Sequence, residues 1–138
     1  MTETAPGKAL EFRAWQHVAI FLAACVIVIS RRPDSVFHAQ FYGEDGAIWF
    51  AQAYNWGPWR PFYWSYNGYL HLLPRVAAAA ALLVPLQHAP LIENLVAISF
   101  EALPVNLLLS SRSSAWGTLR FRIALAAIYL VLPNTGEM

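Results

Sequence analysis

The residues best suited to chemistry are two adjacent carboxylates, Glu44 and Asp45, which lie between Gly43 and Gly46. No other two acidic residues are neighbours anywhere in the sequence. An ionised carboxylate can take a proton from a hydroxyl group, while a second acid orients it or binds a divalent cation. The structural alternative is that Asp45 caps the N-terminus of a helix and Glu44 is solvated.

The elements that must position these acids are membrane segments. The chain of 138 residues is 58% hydrophobic and 12% charged, against roughly 25% charged residues in an ordinary soluble domain. Its apolar residues fall in blocks, which is typical of an integral membrane protein. The net charge of +1 is too small for a nucleic-acid-binding surface, so no nucleic-acid partner is expected.

The blocks predict an all-α, polytopic helical membrane protein with about four apolar segments. We predict a disordered tail at 1–13 and a single membrane domain at 14–138. Within that domain, residues 14–30 form the first transmembrane helix, 31–69 a membrane-hugging aromatic loop, and 70–87, 90–110 and 121–133 further membrane helices. The first block could instead be a secretory signal, but Arg31 and Arg32 directly behind it favour an uncleaved anchor.

The aromatic loop contains one amphipathic pattern. Ile48, Trp49, Ala53 and Trp56 recur at helical spacing, which predicts a short interfacial helix lying in the headgroup plane. Asp45 stands at its predicted N-terminus.

The block at 90–110 carries acids that need partners. Glu93 and Glu101 are costly to expose to lipid, so this helix should face protein. This favours an incomplete fold, the N-terminal part of a larger polytopic protein, over a small four-helix protein with a polar core. Membrane orientation stays open. An inside N-terminus with every segment crossing leaves only Lys8 and Arg13 inside, against the positive-inside rule, whereas a re-entrant arm between 70 and 110 or an outside N-terminus satisfies it better.

Several ordered motifs resemble the start of bacterial GT-C-type membrane glycosyltransferases. They are Phe41-Tyr42-Gly43-Glu44-Asp45-Gly46, Ala53-Tyr54, Tyr66-Asn67-Gly68-Tyr69-Leu70-His71-Leu72-Leu73-Pro74-Arg75 and Pro133-Asn134-Thr135-Gly136-Glu137. The resemblance implies a multi-pass protein of the bacterial inner (cytoplasmic) membrane that serves the cell envelope. Its substrate would be a polyprenyl-phosphate-linked sugar, transferred to an extracytoplasmic acceptor.

Carried over by position, the resemblance makes Asp45, or Glu44, the general base. It makes Glu137 a second acid, with Asp45 and Glu137 as possible ligands of a divalent cation, Mg or Mn; the alternative for Glu137 is a solvated loop residue.

Three further residues are substrate-binding candidates. Arg75 at headgroup depth could grip a lipid phosphate, with snorkelling as its structural alternative. His71 could share that site or be a structural, hydrogen-bonded histidine, and Arg60 could stack on aromatic rings or bind headgroups.

Because the remainder of such an enzyme is missing, enzymatic activity stays uncertain and we expect the fragment to be inactive alone. Its partners would be membrane lipid and the remaining helices of a longer chain or another membrane subunit. Two other functions stay open. One is a non-catalytic small membrane protein or truncated remnant whose Glu93, Glu101 and Asn106 serve helix assembly, and the other is a transporter fragment that uses those acids for ion coupling.

Overall fold

The computed structural model describes residues 12–132, so most of the predicted tail and the candidate acid Glu137 lie outside the described residues. The described part consists of helices and turns and contains no β-strand, which confirms the all-α prediction. The α-helices are α1 (Ala14–Arg31), α2 (Asp34–Phe37), α3 (Ala51–Trp56), α4 (Leu72–Ala81), α5 (Ala89–Leu109) and α6 (Leu119–Val131).

Two helical stretches within residues 12–132 are long and apolar enough to cross a membrane. They are α1, with a mean hydropathy of 1.6, and Leu86–Leu109, with a mean hydropathy of 1.5, which comprises a short 3-10 turn and α5. A crossing takes about 20 residues, whereas α4 has 10 residues and α6 has 13. The membrane prediction is thus supported for two segments, and crossing by the other two stays a prediction.

The chain divides into two compact units, of which one spans Ile29–Glu101 and contains both carboxylates. Its core forms where a π-helical turn, Asp45–Phe50, runs directly into α3 and lies against α4. Trp49 packs with Ala53 and Ala78, and Phe50 packs near Ala81. The small side chains of these alanines leave room for the large aromatic rings of the neighbouring helical segment to pack against them.

The start of this helical segment differs from the capping interpretation. The capping position before the π-helical turn is occupied by Glu44 and not by Asp45. The Glu44 side chain makes no capping hydrogen bond. Asp45 is the first residue of the π-helical turn, and Glu44 before it already has helical backbone angles, φ −77° and ψ −12°. The Asp45 carboxylate therefore lies inside the helical segment, past the position from which a side chain caps a helix.

The other unit comprises the described residues up to Val28 and those from Ala102 onward. In it, His17 Nδ1 lies 3.1 Å from Asn106 Oδ1 and so joins α1 to α5. The Arg122 guanidinium donates to the backbone oxygens of Ser110, at 2.6 Å, and Leu108, at 3.2 Å. These bonds satisfy carbonyl groups that the C-terminal end of α5 leaves without helical partners.

Candidate functional site

Asp45 lies half-buried at the start of the π-helical turn. Burial raises the pKa of its carboxyl group above the ordinary value, and the negative charge of Glu44 raises it further. A hydrogen bond with the backbone of Tyr42 opposes both effects without cancelling them. A carboxylate with a raised pKa holds a transferred proton better than an exposed one, which suits a general base.

Asp45 faces a small cavity of about 140 Å³ that a second acid also lines. That acid is Glu93, in the first turns of α5; it is buried, with 7% of its surface exposed. Among the described residues its Oε1 atom has no hydrogen-bond partner. Asn94 lines the cavity beside it, and its Nδ2 donates to the Ser35 carbonyl oxygen at 2.8 Å. The remaining walls are apolar and come from Leu73, Pro74, Ala77 and Ala97.

Glu44 is exposed and belongs to a different set of contacts. Its Oε1 accepts a hydrogen bond from the Tyr66 hydroxyl at 2.9 Å, and this bond is the main cause of a raised pKa of Tyr66. Tyr66 is held by a tight turn in which it exchanges backbone hydrogen bonds with Tyr69 at 2.8 and 3.0 Å. Asn67 and Gly68 between them both have positive φ, which is the geometry that an Asn-Gly pair favours in a hairpin turn.

His71 continues these contacts. Its Nε2 lies 3.1 Å from the Tyr66 carbonyl oxygen, and its ring centre lies 4.9 Å from that of Trp49. The backbone of His71 has φ +24° and ψ +58°, a left-handed conformation that is costly for a residue with a side chain. The surrounding rings and the hydrogen bond hold it there.

Arg75 is buried, with 2% of its surface exposed. Its Nη1 donates to Gln52 Oε1 at 2.9 Å and its Nη2 to the Trp64 carbonyl oxygen at 2.7 Å. Its Cζ lies 5.1 Å from the centre of the Trp49 ring, at cation–π distance. The guanidinium therefore points into the protein and binds neighbouring chain segments.

Arg60 lies elsewhere, exposed at the start of a 3-10 turn. It lines a cavity of about 400 Å³, whose other walls are the aromatic residues Trp56, Trp59, Tyr63 and Trp64. These aromatic walls agree with the expectation that Arg60 lies close to aromatic rings.

The structure thus divides the predicted site residues among three places. One group of residues forms a chain of contacts in which each side chain contacts the next. We use the name "aromatic–arginine network" for this group, which consists of Glu44, Tyr66, His71, Trp49 and Arg75. Asp45 faces the small cavity, for which we use the name "acid cavity", and Arg60 lies in the aromatic one.

Sequence reasoning missed two members of this arrangement. The sequence predicts only helix assembly or ion coupling for Glu93, because an acid in an apolar helix indicates no more than that it faces protein. Gln52, which accepts from Arg75, carries no signal in the sequence. The Asn67-Gly68 pair does carry one, because it predicts the turn that positions Tyr66.

The acid cavity can be tested for its fit to a divalent cation. No group of three or more histidine, cysteine, aspartate or glutamate side chains clusters within residues 12–132. Mg²⁺, however, is commonly bound by one or two carboxylates and keeps several water ligands. Asp45 and Glu93 supply two carboxylates, and the Oδ1 atom of Asn94 is a third oxygen, so the residues present fit such an ion.

Comparisons of the sequence with protein-family models, with curated proteins and with solved structures give no match. The likeness to GT-C-type glycosyltransferases therefore depends on the sequence motifs alone.

Proposed function

We propose that the chain forms the N-terminal, acid-bearing part of a membrane glycosyltransferase that uses a polyprenyl-phosphate sugar. The observation that carries the proposal is the placement of Asp45. It is a half-buried carboxylate with a raised pKa, facing a cavity, in the segment between α1 and the second helix long enough to span a membrane. In this proposal α4 and α6 also lie in the membrane, giving a multi-pass protein of the bacterial inner membrane.

The reaction balances with one base. The acceptor hydroxyl oxygen forms a bond to the anomeric carbon of the sugar as the bond from that carbon to the phosphate oxygen breaks. The hydroxyl proton passes to the Asp45 carboxylate, and polyprenyl phosphate leaves with the bonding electrons. Asp45 is a better candidate for the base than Glu44, because Glu44 is exposed and already accepts a hydrogen bond from Tyr66.

The substrate-binding roles are distributed differently. Arg60 remains a candidate for the lipid phosphate, because its guanidinium is exposed among aromatic rings of the kind that lie at membrane interfaces. The internal bonds of Arg75 favour a structural role for it, and the same holds for His71. Glu137 stays a predicted second acid.

To test the proposal, the Asp45→Asn substitution is introduced into the chromosomal copy of the gene, so that any further helices or subunits of the enzyme are present. Membranes are then supplied with a short-chain polyprenyl phosphate carrying a radiolabelled sugar, from a panel of hexoses and pentoses. Loss of a general base should lower transfer by about 10²- to 10⁴-fold. Glu44→Gln is the matched control and should cost less than about tenfold. Equal losses in both variants, or full transfer in Asp45→Asn membranes, would refute the assignment of the base.

Orientation gives an independent test. A single cysteine replaces Ala47 in a Cys25→Ala background, and intact cells are treated with an impermeant thiol reagent. Labelling of position 47 and protection of a cysteine at Ser113 agree with an extracytoplasmic acid site. Labelling at position 47 only after lysis would place Asp45 in the cytoplasm and make the non-catalytic function the better one.

That second function, helix assembly, is favoured by two other contacts. Asn106 bonds to His17, and Glu101 Oε1 lies 3.9 Å from Arg31 Nη1, so polar groups of α5 join it to α1. If assembly is the main role, Glu101→Leu lowers the amount of folded protein in membranes more than Asp45→Asn does. Ion transport would instead appear as pH- or ion-dependent flux that is sensitive to Glu93 or Glu101 and indifferent to Asp45.

A further inference from the structure

The acid cavity contains an unusual combination of groups. Asp45 and Glu93 come from different helical segments and line one cavity of about 140 Å³. Both side chains carry negative charge when ionised, so they repel each other across this cavity. Like charges in a shared, poorly solvated space are unfavourable unless something between them compensates.

The Glu93 carboxylate also lacks an internal partner. Its side chain is more than nine-tenths buried, yet Oε1 accepts no hydrogen bond within the described chain. A buried polar atom left without a partner costs about 1–3 kcal/mol when neutral and more when charged. Native structures rarely keep such an atom unless a ligand, an ion or an ordered water satisfies it.

The nearest amide supplies a third oxygen. The Nδ2 group of Asn94 is fixed by its hydrogen bond to the Ser35 carbonyl oxygen, which establishes which end of the amide is the donor. The Oδ1 atom of Asn94 takes no part in that hydrogen bond, and Asn94 also lines the cavity. Two carboxylates and an amide oxygen are hard ligands of the type that Mg²⁺, Mn²⁺ and Ca²⁺ prefer.

The size of the cavity agrees with a partly hydrated ion. A water molecule takes up roughly 30 Å³ in the liquid, so 140 Å³ holds a small cation with a few of its waters. Mg²⁺ and Mn²⁺ commonly keep such waters when only two or three protein oxygens bind them. A shared proton would also relieve the repulsion, and the Mn²⁺ titration distinguishes it from a bound ion.

We propose that Asp45, Glu93 and Asn94 form a binding site for one divalent cation of the Mg²⁺ or Mn²⁺ type. The inference adds Glu93 and Asn94 to the proposed glycosyltransferase site, but cation binding itself is independent of sugar transfer. A bound cation would lower the pKa of the Asp45 carboxylate and so make it a weaker base. When bound, the ion would supply positive charge that favours ionisation of an acceptor hydroxyl.

The test uses Mn²⁺ alone as the probe. The full chain is purified in a non-ionic detergent, and free Mn²⁺ is measured by its electron paramagnetic resonance signal as protein is titrated. We expect one ion per chain with a Kd on the order of 0.1 mM, typical of weak oxygen-ligand sites, and competition by Mg²⁺. Glu93→Gln and Asp45→Asn should each weaken binding by about tenfold or more, since each removes one charged ligand.

The matched control is Glu44→Gln, which removes one negative charge beside Asp45 from a residue that does not line the cavity. It should change the Kd by less than about threefold, because an exposed charge is screened by solvent. Glu93→Asp keeps the charge but shortens the side chain, and it should give an intermediate Kd. Circular dichroism confirms that each variant keeps its helices.

Two results would overturn the proposal. The first is the absence of Mn²⁺ binding by the unsubstituted protein at millimolar concentrations, which would favour a proton shared between the two acids. The second is equal binding by the Glu93→Gln variant, which would place the ion elsewhere. Neither result depends on glycosyl transfer, so a failed cation site is distinguishable from a failed enzyme assignment.

Discussion

Replacement of Arg75 by alanine separates a structural arginine from a phosphate-binding one. Arg75 is 2% exposed as a residue, and its guanidinium donates hydrogen bonds of 2.9 Å to Gln52 and 2.7 Å to the Trp64 carbonyl oxygen. It also lies at 5.1 Å from the Trp49 ring centre. Arg75→Ala removes all three interactions and leaves acceptors without their donor.

The magnitude follows from these contacts. Hydrogen bonds to a charged group contribute about 1.5–3 kcal/mol each, and a shielded cation–π contact contributes up to about 2 kcal/mol. Burial of the charge opposes them by several kcal/mol. The partners left behind are neutral, so no buried charge remains, and the net loss of unfolding free energy should be about 1–3 kcal/mol, as for acceptors that lose their donor. For a chain of this size this corresponds to a fall in Tm of about 4–12 °C.

The assay is thermal unfolding of the purified protein in detergent, followed by circular dichroism. Arg60→Ala is the matched control, since Arg60 is exposed and the loss of its side chain should change the unfolding free energy by less than about 0.5 kcal/mol. Arg75→Lys keeps the charge but cannot present two donors in one plane, so it should fall between the two. An Arg75→Ala protein that melts with the unsubstituted protein while losing affinity for phosphate-containing lipid would refute the structural role and support the predicted ligand role.

Three further expectations follow from local geometry. A Cβ atom at Gly46 would lie 2.8 Å from Phe41 Cγ, so Gly46→Ala should lower the unfolding free energy by about 1–3 kcal/mol, and a smaller residue at Phe41 should reduce that loss in a double-mutant cycle. Removing His17 and Asn106 singly and together should give a coupling energy of about 0.6 kcal/mol, since their bond joins two apolar helices; zero coupling would contradict the observed contact. The raised pKa of Asp45 means that the folded protein binds a proton more readily than the unfolded one, so its contribution to stability falls as pH rises from the ordinary aspartate pKa of about 3.9 through the folded pKa. Unfolding curves measured at a series of pH values give the slope of unfolding free energy against pH. The part of this slope that comes from Asp45 should disappear in Asp45→Asn, and an unchanged slope would contradict the raised pKa.

The helical class was predictable because continuous apolar blocks leave the backbone few options. A membrane-spanning segment must satisfy its own hydrogen bonds, so the blocks that contain α1 and α5 predict helices without any knowledge of neighbours. The π-helical start at Asp45–Phe50 was not predictable, since the sequence pattern gives helical period but not the hydrogen-bond spacing of a single turn.

The site was less predictable than the fold. The polar motifs indicated Asp45 as a candidate, but they gave no reason to join it to Glu93, which is distant along the chain and lies on another helix. Arg75 shows the same limit. Its acceptors are an amide side chain and a backbone carbonyl, and neither has a sequence signature that would distinguish an internal arginine from one at the lipid headgroups.

The two adjacent acids make separate contacts because of where they lie at the start of a helix. Successive side chains of a helix point in directions about 100° apart, so Glu44 and Asp45 point towards different groups. Glu44 accordingly bonds to Tyr66 in the aromatic–arginine network, and Asp45 faces Glu93 in the acid cavity. Effects of Glu44→Gln and Asp45→Asn on Mn²⁺ affinity should therefore be nearly additive, within about 0.5 kcal/mol in the double variant. Strong coupling would mean that the pair acts as one site, and the division into a network and a cavity would then be wrong.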